Sequence, residues 1–193
     1  MKMQLKEKNT SANAGCIRKL SVSMKWTTAA DFDLAAVYED KNGKTGIVYF
    51  GDQGSAGTYP YMCSGGDAGV GDIGGDNEET LLICRLDEMK YVWIMCWDYG
   101  KIQQGLPARF QESDILITFT DDRGNIFHVS PDNISNANAA LIATIDNSSP
   151  VGAGIINSSR AGLLKGLKKL QQLTDIIRQD QETKPTPTRI ILE

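Results

Sequence analysis

The sequence predicts a mainly β protein, an antiparallel β-sandwich with one amphipathic helix near its C-terminal end. Two observations support this. Seven or eight short apolar segments, separated by turn residues, recur between residues 20 and 145. No helical period of 10–15 residues intervenes before residue 150, which argues against a doubly wound α/β sheet.

Residues 1–15 are polar and lack the apolar stretch of a secretory signal, so they are expected to form an N-terminal arm. Leu20, Val22, Met24 and Trp26 alternate with Ser21, Ser23 and Lys25, the pattern of a half-buried strand. Strands at 33–39 and 45–50 flank Asp40–Lys44, where Asn42-Gly43 predicts a hairpin turn. Strands follow at 80–86 and 90–97, the second apolar on both faces and therefore central. Segments 114–120 and 126–130 bracket a second hairpin at Asp121–Asn125, and 139–145 closes a sandwich spanning residues 16–147. Residues 148–180 form a connector and helix. Asn157–Ser159 is a candidate N-cap for a helix of about eighteen residues, with Leu163, Leu164, Leu167, Leu170, Leu173, Ile176 and Ile177 on one stripe. Packing of that stripe on the sandwich is favoured over docking to a partner or a membrane surface. The tail, 181–193, is Pro/Thr-rich and expected to be extended.

The net charge of −4 argues against a nucleic-acid surface. No run approaches the length of a membrane span, so a cytoplasmic location is expected. Cys16, Cys63, Cys84 and Cys96 show neither a C-x-x-C pair nor zinc-ligand spacing and are expected to be reduced. His128, the only histidine, sits in a strand with no partner motif for nucleophilic catalysis, and no enzymatic activity is expected.

The chemistry concentrates between Lys44 and Arg85. These forty residues hold no Lys or Arg, yet carry Asp52, Asp67, Asp72, Asp76, Glu78 and Glu79 together with ten of the nineteen glycines. Acids gathered on so pliable a backbone repel one another unless a cation intervenes, and Ca²⁺ accepts six to eight oxygens at flexible geometry. Asp31 and Asp33, two apart on a strand, share a face and raise the same electrostatic problem. The alternative from composition is a solvated surface loop, and the spacing does not match an EF-hand.

The ordered set Trp26–Lys44, Pro60-Tyr61, Gly66-Asp67, and Gly71-Asp72 running into Gly75-Asp76-Asn77-Glu78 resembles the TerD-type domains of tellurium-resistance and stress-response proteins. The Asp33–Val48 stretch is more similar to the TerA-type branch. The resemblance covers roughly residues 17 to 147 and implies a sandwich that binds one or two calcium ions. It assigns Asp31, Asp33, Asp67, Asp72, Asp76 and Glu78 as ligands. Asn77, where the family usually has Asp, and Ala68, where it has Asn, depart from the pattern. The implied function is a non-enzymatic calcium-binding module whose ordered acidic loop meets a protein partner, such as another member of the same resistance system. The alternative is a calcium-dependent sandwich for a membrane surface or small ligand.

Overall fold

A computed structural model describes residues 1–65 and 74–182. Among these residues two sheets pack face to face. The first orders β1 (Lys2–Leu5), β11 (Ile126–Val129), β10 (Leu116–Asp121), β3 (Leu20–Trp26), β8 (Asn77–Ile83), β7 (Met62–Ser64) and β6 (Gly54–Ser55). The second orders β2 (Ser11–Gly15), β13 (Ala153–Gly162), β12 (Ala139–Asp146), β9 (Met89–Asp98), β4 (Phe32–Asp40) and β5 (Thr45–Val48). Pairing is antiparallel except between β1 and β11, which run parallel. Two α-helices complete the described chain, α1 (Tyr99–Gln104) and α2 (Leu170–Glu182). The expected β-sandwich with a C-terminal helix is the fold observed.

Side-chain alternation builds the layers. In β3 the apolar positions Leu20, Val22, Met24 and Trp26 are buried while Ser21 and Lys25 face solvent. Leu34, Ala36 and Tyr38 of β4 join Val92, Ile94 and Cys96 of β9 in the core between the sheets. Their neighbours Ala35, Val37, Trp93, Met95 and Trp97 face the other way, where α1 contributes Ile102 and α2 contributes Leu173, Ile176 and Ile177. Strands β4 and β9 are thus buried on both faces, as the unbroken apolar run at 90–97 predicts.

Both predicted hairpins form by one device. The Asp40 carboxylate accepts from Asn42 N at 2.8 Å and Lys44 N at 2.9 Å. Asp121 accepts from Arg123 N at 2.9 Å and Asn125 N at 2.8 Å. Gly43 (φ +82°) and Gly124 (φ +77°) then supply the left-handed turn residue.

Three expectations are corrected. Residues 1–15 are not a free arm: β1 extends the first sheet and β2 the second, burying Leu5, Ala12 and Ala14. The sandwich does not end at residue 147, because β13 lies between β12 and β2. Asn157–Ser159 is no helix cap but the middle of β13. Its polar side chains are buried and bonded, with Asn157 Nδ2 donating to Leu5 O and Ser130 O, both at 2.9 Å, and Ser159 Oγ donating to Asn157 Oδ1 at 2.6 Å. The helix therefore starts at Leu170. Gly166, with φ +75°, breaks the apolar stripe ahead of it, and Gly166 N bonds to Ile102 O at 2.7 Å. Leu164 and Leu167 still pack on the same outer layer, but from the connector.

Candidate acidic site

Strand β5 is short. Among the described residues it pairs with β4 only from Ala36 to Glu39. Glu79 reaches β4 from the facing sheet. Alternation in β8 turns Glu79, Leu81 and Ile83 inward, and the Glu79 carboxylate accepts from Leu34 N at 2.5 Å. On the opposite side of β4, Phe32 pairs with Asp98, the last residue of β9. Asp98 caps α1, accepting from Lys101 N at 2.9 Å. Asp33, Glu79 and Asp98 are 8%, 6% and 3% exposed, and Asp31 is half-buried just ahead of β4.

Cys96 lies fully buried in the core between the sheets. Burial, and then the negative charges of Glu79, Asp33 and Asp98, push its thiol well above the ordinary range. All four cysteines are free thiols.

The remaining predicted ligands lie elsewhere or outside the described residues. Glu78, one position from Glu79, faces out of the first sheet, where Ser23 Oγ donates to it at 2.7 Å and Lys25 Nζ lies 3.7 Å away. Asp76 is exposed and lines a surface cavity of about 470 Å³ with Lys25, Thr27, Asn77, Glu78 and Asp114. Asp114 fixes the neighbouring turn, accepting from Thr27 N at 2.8 Å, Thr28 N at 3.3 Å and Thr27 Oγ1 at 2.5 Å. Burial alone would raise the Asp114 carboxyl, but these bonds outweigh it and hold it at about 2. Gly75 N donates to Thr27 O at 3.0 Å, which seats the start of β8 on that turn. Asp67 and Asp72 lie outside the described residues.

The structure thus buries Asp33, Glu79 and Asp98 at one end of the sandwich, and sets Asp76 and Glu78 on the outer surface. Glu79 and Asp98 were not among the predicted ligands. Counting back in twos from the apolar Ile83 and Leu81 of β8 would have picked Glu79 over Glu78. Asp98 carried a weaker signal, a single acid closing the apolar run of β9. Among the described residues, no group of three or more His, Cys, Asp or Glu is placed to hold a metal ion by itself.

No family model matches the chain, and no curated protein matches it. Solved structures do. One is the crystal structure of a homologue of the telluride resistance protein TerD from Streptomyces coelicolor A3(2). It aligns with a TM-score of 0.54 at 14% identity, covering 76% of this chain and 90% of that one. Another is SAV2460, a protein of unknown function, with a TM-score of 0.51 at 16% identity over 79% of this chain and 99% of that one. At such identities the likeness concerns architecture, and in architecture this chain is a TerD-type β-sandwich.

Proposed function

We propose that the protein is a non-enzymatic calcium-binding module of the tellurium-resistance and stress-response type, in which Ca²⁺ orders the acidic Gly-rich segment for contact with a protein partner. The observation that supports this reading is the burial of Asp33, Glu79 and Asp98 at one end of the sandwich, together with the acidic Gly-rich stretch of the sequence. The stretch from 45 to 84 carries six acids and ten glycines with no Lys, Arg or His among them, and like charges folded together repel unless a cation intervenes. Oxygen-only donors on a Gly-rich backbone suit a hard cation that tolerates irregular coordination. Because the described acids do not form a complete site, the reading assigns the remaining ligands to Asp67 and Asp72, beside Asp31, Asp33 and Asp76, with Glu79 in place of Glu78, which faces out of the first sheet. Whether one ion or two is bound is read from the stoichiometry.

Isothermal titration of Ca²⁺ into chelator-stripped protein, with Mg²⁺ as control, tests the proposal. Saturable, calcium-selective heat at one or two sites is expected. The native state should gain about 2.7 kcal/mol at a hundredfold excess of ion over Kd. Asp33→Asn and Asp76→Asn should shrink the accompanying rise in Tm. Asp52→Asn should not, since Asp52 accepts from Gly54 N at 3.2 Å within its own turn. Equal losses from all three variants would mean diffuse attraction and would remove the site.

A further inference from the structure

Independently of calcium, a cavity of about 280 Å³ opens where the outer face of β5 and β9 meets the N-terminal end of α2. Four aromatic residues line it as a continuous arc. Phe50 and Tyr99 meet edge-on at 5.8 Å, Tyr49 touches Phe50 at 5.2 Å, and Tyr49 lies 6.3 Å from Trp97. Phe50 and Tyr99, at the mouth, are 41% and 40% exposed, an unusual pair of rings to leave in water. Trp97 is fully buried, yet its indole N–H makes no hydrogen bond among the described residues. A buried donor without an acceptor is costly and rare in native structures.

The polar rim has one sign. Lys168 and Lys169 line the cavity just ahead of α2, and neither forms a salt bridge among the described residues. Helix N-termini favour acids, but α2 has no acid in its first turn. Its capping is done by a neutral group instead, as Gln172 Oε1 accepts from Lys168 N at 2.9 Å and Lys169 N at 3.2 Å. Two lysine charges and the positive end of the helix are thus left facing a ring-lined hollow.

We propose that this cavity binds a small aromatic carboxylate. The rings supply flat apolar walls and the lysines a counter-charge at the mouth. The volume, at the lower end for ligand sites, suits a single-ring compound. An aromatic arc alone would also suit an organic cation, but the two lysines oppose one.

The test is ¹H–¹⁵N correlation spectroscopy on the full chain, following the indole N–H signals of its three tryptophans. The probes are benzoate, benzyl alcohol and benzylammonium. Benzoate should shift one indole signal saturably, benzyl alcohol should bind roughly tenfold more weakly, and benzylammonium should bind more weakly still. Lys168→Gln with Lys169→Gln should bring benzoate down to the level of the alcohol with the Tm unchanged. Tyr99→Ala, at a half-exposed ring, should weaken benzoate and the alcohol alike. The absence of a saturable shift, equal binding of all three probes, or full benzoate affinity in the double-lysine variant would each overturn the proposal.

Discussion

Glu78 and Glu79 are adjacent in sequence and face opposite ways, and the difference is open to experiment. Glu79→Gln keeps an oxygen to accept from Leu34 N but removes one charge from the neighbourhood of Asp33 and Asp98. The calcium-free protein should hold or raise its Tm, because repulsion falls, while the gain on adding Ca²⁺ should shrink. Glu78→Gln removes only an exposed contact with Lys25 and should change either value by no more than about 0.5 kcal/mol. Melts with Ca²⁺ and with chelator distinguish the two, and the reverse pattern would move the ion to the outer surface. Asp114 gives a separate, acid-side prediction. Its folded carboxyl sits near 2, below the ordinary 3.8, so its stabilisation is complete above about pH 4 and is lost as the pH falls through 2. Asp114 is exposed, and solvent screening reduces the contribution to about 1 kcal/mol. Asp114→Asn should therefore lower stability at pH 6 and make no difference near pH 2, as followed by denaturant titration at each pH.

The elements show which local signals survive tertiary packing. The hairpins at Asp40–Lys44 and Asp121–Asn125 were legible because a turn of this type places the same demands on any chain: an acid to accept two backbone N–H groups and a glycine at positive φ. An added Cβ at Gly43 or Gly124 meets nothing within 4 Å, so Gly43→Ala and Gly124→Ala isolate the backbone cost. Each should lower stability by about 1 kcal/mol, measured by chemical denaturation, with Gly→Asn milder at both positions. Strand β13 was illegible for the opposite reason. Asn157, Ser158 and Ser159 favour turns and caps locally, and they enter a strand because partners far away in sequence satisfy them, among them Leu5 O and Ser130 O. In β2, Ala12 and Ala14 alternate with polar residues, but small side chains leave only a faint hydrophobic signal. The site divides similarly. Its acidic composition was visible in the sequence, whereas the choice of Glu79 and Asp98 required strand register.

At the scale of the whole molecule, the sandwich is closed by the two ends of the described chain. The N-terminal residues place one strand in each sheet, and α2 covers the outer face of the second sheet over Trp93, Trp97 and Leu141. Leu173, Ile176 and Ile177 are each 3% exposed or less. Burying such a side chain is worth about 1.5–3 kcal/mol. Together the three rival much of the ~5–15 kcal/mol that separates a folded domain from its unfolded state. The helix is therefore part of the domain, and Gly162 shows how closely it sits, since a Cβ there would lie 3.1 Å from Ile176 Cδ1. Ile176→Ala should cost about 2–4 kcal/mol in chemical denaturation. A chain ending at Lys169 would expose the two tryptophans at once and should be insoluble, or melt more than ~10 °C below the full chain. A soluble truncated chain with unchanged Tm, together with a near-neutral Ile176→Ala, would mean that α2 leaves the sheet in solution. That outcome would also remove one wall of the aromatic cavity, so this pair of measurements bears on the fold and on the proposed ligand site together.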